Sequence, residues 1–475
     1  MNTITLKDKV GYGFGDMASS MFWKIFGMYS LFFYTDVFGI TAAAAGTMFL
    51  VARLWDSFVD VLIGIVADRT KTRWGRYRPY LLWFAVPFAV MGVITFFVPE
   101  FGQTGKLVYA YVSYSLMMIV YSLINVPYAS LLGVMSPHPQ ERNVLSSYRM
   151  SFAFIGSFIT FMLLQPLINF FSRTFGDGQP IDTTTISTSP IGWVLGIAVI
   201  GAICAILFFL CFSWTRERVK PVNEAEDTSV SQDLKNLFRN MPWWILVATG
   251  LAALLFNAIR DGVAIYYFRD YVQAAYQMPF TGWDMCTIYF LAGQAANLVG
   301  VMVAPSISAK YGKRRTYMIA MLIAAVFSVF FFYIPNQVEY ILVMQVFISV
   351  CAGYVLPLLW SMFADIVDHQ ELKTNRRATG LIFSSSSMSQ KLGWALGAAL
   401  TGWVLFWFKY NPDLVAQGLQ QSETTIFGER MMISLLPAVA ALLALIGMFF
   451  YPLTDKKVKE NSAELEARRQ LTINT

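Results

Sequence analysis

The sequence contains little charge and few of the residues that usually carry catalysis or metal binding. Only 13% of its 475 residues are Asp, Glu, Lys or Arg, against roughly 25% in soluble proteins. It has two histidines and four cysteines, and no cysteine pair has the spacing of a metal site. No P-loop and no His-Glu-x-x-His pattern occurs. We therefore expect neither an enzyme nor a bound cofactor.

Apolar residues dominate instead. They make up 56% of the chain, and the mean hydropathy is +0.53, which is typical of a polytopic protein embedded in a lipid bilayer. The net charge of +6 comes from short basic loops, so it indicates membrane orientation and not nucleic-acid binding. Lys7, Lys9 and Asp16 interrupt any leader-like apolar core near the start, and no cleavable signal is expected.

Twelve apolar stretches are long enough to cross a bilayer as helices. Their approximate ranges are 12–38, 43–67, 79–99, 107–134, 147–171, 191–214, 243–272, 283–308, 316–334, 338–363, 378–408 and 429–452. The sequence thus predicts an all-α membrane protein with twelve transmembrane helices.

Basic residues are concentrated in alternate connections. The segments 68–78, 310–315, 215–240 and 454–475 hold most of the loop lysines and arginines and fall on one side of the membrane. The positive-inside rule places that side, and with it both termini, in the cytoplasm.

The two halves of the chain resemble each other. The basic loop after span 2 recurs after span 8, and a proline interrupts span 4 (Pro127) and span 10 (Pro357). Both pairs are separated by about half the chain. This pattern predicts an N-terminal six-helix bundle (1–214), a central loop (215–240), a C-terminal six-helix bundle (241–453) and a tail (454–475). It is the arrangement of the major-facilitator fold, whose binding site lies between the halves.

Two acids interrupt span 2. Asp56 and Asp60 are four residues apart on one helix face. Each costs roughly 2.5–3.5 kcal/mol at the centre of a membrane helix, and their mutual repulsion is on the order of 3 kcal/mol at ~6 Å and an effective dielectric of ~20. The pair therefore favours a shared cation, either H⁺ or a metal ion such as Na⁺. Arg53 offers an alternative, since it could neutralise one acid structurally.

Four other polar side chains fall at membrane depth. Lys24 could pair with an acid of span 2 or reach a lipid headgroup. Asn125 could donate to a hydroxylated ligand or satisfy the carbonyl freed by Pro127. Arg149 could pair with the acids of span 2 or contact substrate, and Lys391 is expected to face the cavity and an acid of the N-terminal half.

Several aromatic residues are candidates for stacking on a sugar ring, with packing as the alternative for each. They are Trp23, Tyr34, Tyr121, Tyr128, Trp360 and Trp394. Trp360 is the best placed, because it lies between Pro357 and Asp365.

Several motifs together resemble those of the glycoside–pentoside–hexuronide:cation symporter family. They are Tyr12-Gly-Phe-Gly-Asp16, Tyr34-Thr-Asp-Val-Phe-Gly39, Gly46-Thr-Met-Phe-Leu-Val-Ala-Arg-Leu-Trp-Asp56, Asp68-Arg-Thr-Lys-Thr-Arg-Trp-Gly-Arg-Tyr-Arg-Pro79, Asn125-Val-Pro-Tyr128 and Ala364-Asp-Ile-Val-Asp368. The resemblance extends from about residue 8 to residue 458. It implies a bacterial inner-membrane protein that moves a sugar or glycoside with H⁺, Na⁺ or Li⁺.

The resemblance also implies roles for individual residues. Asp56 and Asp60 match the family's cation-binding acids, and Ser122 matches a hydroxyl that helps to hold sodium. Arg149 and Lys391 match charged cavity residues, and Trp360 is similar to an aromatic residue of the sugar site.

The sequence departs from melibiose permease at several of these positions. Val59 replaces an Asn before the second acid, which removes one oxygen ligand and favours H⁺ over Na⁺. Ser19 and Ser20 replace a Lys-Asp pair, and Asn125 replaces a sugar-binding acid. A pentoside or an acidic sugar is therefore a more favoured substrate than melibiose. The alternatives are a lipid or lysolipid carrier of the same fold and a sugar sensor that does not transport.

Overall fold

Each of the twelve predicted spans is largely helical over the residues that the structure describes. The computed structural model describes residues 4–136, 139–176, 186–218, 235–273, 283–374, 379–417 and 419–473. The helices are α1 (Leu6–Lys24), α2 (Ala42–Arg69), α3 (Arg78–Thr95), α4 (Gln103–Met135), α5 (Pro139–Phe175), α6 (Pro190–Trp214), α7 (Met241–Val272), α8 (Met285–Tyr311), α9 (Lys313–Tyr333), α10 (Val338–Thr374), α11 (Thr379–Trp407), α12 (Glu423–Phe449) and the tail helix α13 (Asp455–Ile473). Most of the predicted central loop, 219–234, lies outside the described residues.

Within the described part of the chain, nine helices are long and apolar enough to cross a membrane, namely α3 to α10 and α12. Helix α2 departs from that composition because Arg53, Asp56 and Asp60 lie in its middle. Helix α2, which carries the predicted cation-coupling acids, thus has an unusually high charge content for a membrane span.

Helix α1 begins at a capping box and becomes irregular towards its far end. The Thr5 hydroxyl accepts from the Asp8 backbone N–H (3.3 Å), and the Asp8 carboxylate accepts from the Thr5 N–H (3.0 Å). Beyond Lys24 the chain continues as two π-helical turns, Ile25–Tyr29 and Phe33–Val37, on either side of Ser30–Phe32. Such turns interrupt the regular side-chain spacing and often occur at functional sites.

The chain forms two compact units. Unit 1 comprises Met1–Glu224, Ala264–Leu291 and Ala398–Gly428, and unit 2 comprises Ala225–Val263, Ala292–Gly397 and Glu429–Thr475. In unit 1, α1 packs on α5 and α6, α3 packs on α4 and α6, and α2 packs on α4. In unit 2, α9 packs on α10 and α12. The division into six-helix halves, 1–214 and 241–453, stays a prediction.

In each unit an acidic side chain caps the start of a helix, which agrees with the sequence repeat. In unit 1 the Glu217 carboxylate accepts from the backbone N–H groups of Arg76, Tyr77 and Arg78, at 2.9, 2.8 and 3.0 Å, where α3 begins. In unit 2 the carboxylate of Asp455, after α12, accepts from the Lys313 N–H at 2.9 Å, where α9 begins. Both acids satisfy N–H groups that the helix leaves without intrahelical partners.

A glycine with positive φ precedes each of these capped helix starts: Gly75 at +115° and Gly312 at +89°. A Cβ atom on Gly75 would also collide with the Glu217 carboxylate. The cap therefore depends on a backbone conformation that other residues adopt only under strain.

We expect Gly75→Ala to destabilise unit 1 by at least about 1–2 kcal/mol, the cost of a left-handed conformation for a residue with a Cβ atom. Thermal unfolding of the purified protein in detergent measures this as a lower Tm. The matched control is Gly133→Ala in α4, where an added Cβ meets nothing within 4 Å; it should leave the Tm unchanged or raise it. Equal Tm values for the two variants would contradict this account of the cap.

Candidate functional site

The packing of α2 on α4 joins two of the predicted cation-coupling residues. Asp56 is fully buried, and the Ser122 hydroxyl, also buried, donates a hydrogen bond of 2.7 Å to its Oδ1 atom. Asp60 lies one helical turn further along α2 and is partly exposed. The two acids therefore extend from the interior of unit 1 towards a more accessible position.

Arg53 lies beside Asp56 and against an aromatic ring. Its Nη1 atom is 3.7 Å from Asp56 Oδ2, which is longer than the usual N–H···O hydrogen bond of about 2.7–3.2 Å. The guanidinium carbon is 4.4 Å from the centroid of the Trp23 ring, a cation–π distance. Arg53 thus reduces the negative charge around Asp56 without a close, hydrogen-bonded ion pair.

Trp23 continues this cluster towards α4. Its ring centroid is 5.8 Å from that of Tyr121, and its side chain is partly exposed. Trp23 therefore positions Arg53 while keeping part of its own surface accessible, which is compatible with its predicted role as a ligand-stacking residue.

The structure corrects one interpretation of Asn125. Its side-chain amide donates to the Tyr121 carbonyl at 3.1 Å. The carbonyl that Pro127 leaves without a helical donor is that of Leu123, four residues before the proline. Asn125 therefore does not satisfy the carbonyl freed by Pro127, and its partly exposed side chain keeps the ligand role as a prediction.

Arg149 pairs with an acid that sequence reasoning had not selected. Its Nε and Nη2 atoms lie 3.2 and 3.4 Å from the Asp16 carboxylate oxygens, and its guanidinium lies 5.3 Å from the Tyr128 ring centroid. Arg149 was predicted to pair with the acids of α2 or to contact substrate, and the pairing is with α1 instead. The available signal was Asp16 itself, an acid in an otherwise apolar stretch of span 1.

Tyr128 occupies a packing position. It is fully buried, its hydroxyl donates to the Tyr12 carbonyl at 2.7 Å, and its ring stacks on Tyr12 with centroids 4.8 Å apart. A Cβ atom on Gly15 would collide with the Tyr128 ring, so α1 and α4 approach closely here. This placement favours the packing alternative over stacking on a ligand.

The remaining predicted residues are placed as follows. The Lys24 ammonium is 5.8 Å from the Phe161 ring centroid in unit 1. Trp360 on α10 and Lys391 on α11 belong to unit 2, where both side chains are partly exposed. That Lys391 meets an acid of the N-terminal half stays a prediction.

Unit 1 also contains a buried ion cluster that the sequence did not reveal as a site. We call Asp36, Arg269, Asp270 and Tyr410 the Asp36–Arg269 cluster. Arg269 donates to Asp36 at 2.6 Å, to both oxygens of Asp270 at 2.6 and 2.8 Å, and to the Tyr410 hydroxyl at 2.7 Å. The Tyr410 hydroxyl in turn donates to Asp36. Burial raises the pKa of Tyr410 well above its ordinary value, so the phenol keeps the proton that it donates.

The Asp36–Arg269 cluster ties together three separate parts of the chain. Asp36 lies in the last π-helical turn after α1, Arg269 lies in the last turns of α7, and Tyr410 follows α11. Its charged side chains are nearly buried, with 0% of Asp36, 13% of Arg269 and 8% of Asp270 exposed. Nearby, the hydroxyls of Thr35 and Tyr266 are hydrogen-bonded at 2.7 Å.

Helices α2 and α11 approach closely in the same unit. The Trp403 indole N–H donates to the Thr47 hydroxyl at 3.0 Å. A Cβ atom on Gly46 would collide with the backbone of Ala399, and one on Gly402 would collide with the backbone of Ala42. Glycine at both positions therefore permits backbone contact between the start of α2 and the end of α11.

The fold is that of known transporters. The chain superposes with a TM-score of 0.67 and 12% identity on a bacterial homologue of the human lysosomal transporter Spinster, over 96% of this chain and 97% of that one. It superposes on the nucleoside transporter NupG with a TM-score of 0.62 and 14% identity, over 94% and 100% of the two chains. Together with the helices that the described residues form over the twelve predicted spans, this defines a major-facilitator fold.

Sequence similarity identifies the family more specifically than the structural superpositions do. A family profile described as MFS/sugar transport protein matches residues 11–455. The chain is 34% identical over 472 residues to the isoprimeverose transporter of Lactiplantibacillus pentosus, covering 98% of this chain and 92% of that protein. In Escherichia coli K12 it is 33% identical over 468 residues to the glucuronide carrier protein homolog (97% and 96% covered) and 33% identical over 458 residues to the inner membrane symporter YicJ (96% and 94% covered).

These matches extend over nearly the whole chain. The protein therefore belongs to the glycoside–pentoside–hexuronide:cation symporter family of the major-facilitator superfamily. It is a multi-pass membrane protein, and its family and its structural neighbours are transporters.

Proposed function

We propose that this protein is a secondary active symporter that imports a glycoside, pentoside or hexuronide together with one cation, by alternating access. Asp56 and Asp60 bind the cation, and the sugar binds between the two six-helix bundles. The relatives include an isoprimeverose transporter and a glucuronide carrier homolog, which supports this class of substrate.

The observation that carries the proposal is the environment of Asp56. The Asp56 carboxylate is fully buried in a membrane helix, accepts a hydrogen bond from the Ser122 hydroxyl at 2.7 Å, and lies 3.7 Å from the Arg53 guanidinium. Such a group gains from an added positive charge, because burial removes the water that would otherwise stabilise it.

H⁺ is the favoured coupling ion. Hard metal cations require several oxygen ligands, whereas a proton requires one basic oxygen. Asp56, Asp60 and Ser122 supply oxygens, but Val59 supplies none at the position between the acids. Na⁺ bound by Asp56 and Asp60 is the alternative that the experiment below distinguishes.

Charge compensation provides the coupling. A closing cavity excludes water, and bare acids would then carry uncompensated negative charge in a medium of low dielectric. Closure with sugar bound is therefore favourable only when the cation is also bound. The membrane potential adds about 2.3 kcal/mol per charge per 100 mV to inward movement.

The sugar contacts in this proposal come from both bundles. Trp23, Asn125 and Arg149, with Lys24 nearby, contribute from the N-terminal bundle, and Trp360 and Lys391 contribute from the C-terminal bundle. All of these side chains are partly exposed. Tyr128 is left out of this set, because its hydroxyl and ring are both engaged by α1.

The Asp36–Arg269 cluster is the element that closes the outer side. By the positive-inside rule, the basic loops before α3 and α9 favour the cytoplasm for that side of the membrane and for both termini. In the plasma membrane of a bacterium, the end of the α1 segment that carries Asp36 and the end of α7 that carries Arg269 then face outward.

A lipid carrier of the same fold is not favoured, because the relatives named above include an isoprimeverose transporter and a glucuronide carrier homolog.

Transport in reconstituted vesicles tests this function. We expect a radiolabelled glycoside or hexuronide to accumulate when a pH gradient is imposed without sodium, and not when a sodium gradient is imposed at equal pH. Accumulation driven only by sodium would reverse the choice of ion. If neither gradient concentrates any member of a panel of pentosides, hexuronides and alkyl glycosides, the symporter proposal fails.

A further inference from the structure

A basic cleft in unit 2 lies apart from the acid pair. Its volume is about 950 Å³, and it lies where α8 ends and where α9 and α13 begin. Six of the residues that line it are basic and one is acidic. The basic residues are Lys310, Lys313, Arg314, Arg315, Lys456 and Lys459, and the acid is Asp455.

Three of these charged side chains are already engaged within the protein. The Lys313 ammonium donates to both oxygens of Asp365, at 2.8 and 2.7 Å, and Arg314 donates from Nε to the Met448 carbonyl at 3.2 Å. Asp455 accepts the backbone N–H of Lys313 at 2.9 Å. The acid in the lining is thus committed to capping α9 and does not neutralise the other cations.

Four cations of the cleft lack an acidic partner in the described part of the chain: Lys310, Arg315, Lys456 and Lys459. All four are exposed residues. They come from two separate segments of the chain, yet they surround one concave surface, so their charges add in the same volume.

The other wall of the cleft is apolar. Pro305, Met318, Pro357, Leu358 and Phe449 line it, and Phe449 at the end of α12 is 61% exposed. Because three membrane helices end or begin here, the cleft lies where lipid headgroups meet acyl chains. A ligand with an anionic head and an apolar body matches both walls.

We propose that this cleft binds a phosphate-bearing anion, and the apolar wall favours an anionic phospholipid as its source. The phosphate lies among Lys310, Arg315, Lys456 and Lys459, and the acyl chains lie along Met318, Leu358 and Phe449. Lysine and arginine are suited to phosphate because they provide several donors and a full positive charge. The predicted cytoplasmic orientation of this face agrees with the anionic character of that leaflet.

The test compares two double variants that lose the same charge. K456Q/K459Q removes two cations of the cleft, and the control K71Q/K457Q removes two exposed lysines that do not line it. Native mass spectrometry of the purified proteins is titrated with phosphatidylglycerol, phosphatidylcholine and glycerol 3-phosphate. We expect phosphatidylglycerol to bind wild type and control equally and K456Q/K459Q at least tenfold more weakly.

The three ligands separate the possible sources. Preference for phosphatidylglycerol over both other ligands supports a lipid site. Binding of glycerol 3-phosphate that equals phosphatidylglycerol and is lost in K456Q/K459Q supports the same site with a soluble phosphate compound as ligand. The proposal is overturned if K456Q/K459Q binds phosphatidylglycerol as tightly as the control, or if phosphatidylcholine binds as well as phosphatidylglycerol.

Discussion

We expect Asp56→Asn to abolish uphill accumulation of sugar while downhill exchange continues. The amide keeps the shape of the side chain and can still accept from Ser122, but it cannot take up a proton. A potential of 100 mV supplies about 2.3 kcal/mol per charge, which corresponds to a concentration ratio of roughly 50. The variant is therefore expected to lose about 50-fold accumulation per 100 mV, measured with labelled substrate in energised vesicles.

The control for this variant is Asp413→Asn. Asp413 is an exposed acid in a short helix, Pro412–Ala416, and its neutralisation removes the same charge without touching α2. It should accumulate substrate as the wild type does. Undiminished accumulation by Asp56→Asn would show that this acid does not carry the coupling ion.

We expect Arg269→Gln to open the side of the protein that we propose faces outward. The substitution leaves Asp36 and Asp270 buried without their shared cation, and breaking a buried ion pair in this way costs about 3–5 kcal/mol. If the cluster forms only when the outer side is closed, the closed-to-open ratio falls on the order of 10²-fold or more. The measurement is the labelling rate of a cysteine introduced as Thr35→Cys, with a membrane-impermeant maleimide added outside.

Two features keep this labelling interpretable. Thr35 is buried, and all the compared proteins carry Thr35→Cys, so the loss of its hydroxyl contacts with Asp36 and Tyr266 is common to them. The native cysteines Cys204, Cys211, Cys286 and Cys351 are all buried. Arg173→Gln, at an exposed arginine near the end of α5, is the matched control and should leave the labelling rate unchanged. If Arg269→Gln and Arg173→Gln label at the same rate, the cluster does not hold the outer side closed.

Features that depend on local sequence pattern could be predicted. Spans of about 20 apolar residues must satisfy their backbone hydrogen bonds internally, so helices follow from composition alone. The acid pair was equally visible, because Asp56 and Asp60 stand out in an apolar stretch. The family resemblance assigned Ser122 to the same cation site, and the structure shows its hydroxyl donating to Asp56. The binding of a cation by these residues stays a prediction.

Pairings between distant segments could not be predicted in the same way. Arg149 had several acids available, and only the packing of α1 on α5 selects Asp16. The Asp36–Arg269 cluster joins residues more than 200 positions apart in sequence, next to π-helical turns that shift the side-chain spacing. For Tyr128, residue type alone did not distinguish a ligand contact from a packing contact. Its aromatic ring suggested stacking on a ligand, but Gly15 allows α1 to cover the ring.

The most direct test of the account is the movement of protons caused by sugar itself. A substrate glycoside is added to de-energised vesicles in weakly buffered medium, and the external pH is recorded together with sugar entry. The account predicts transient alkalinisation with wild-type protein, and none with Asp56→Asn even though sugar still enters. Equal alkalinisation by Asp56→Asn and wild type would contradict the claim that the acid pair of α2 carries the coupling ion.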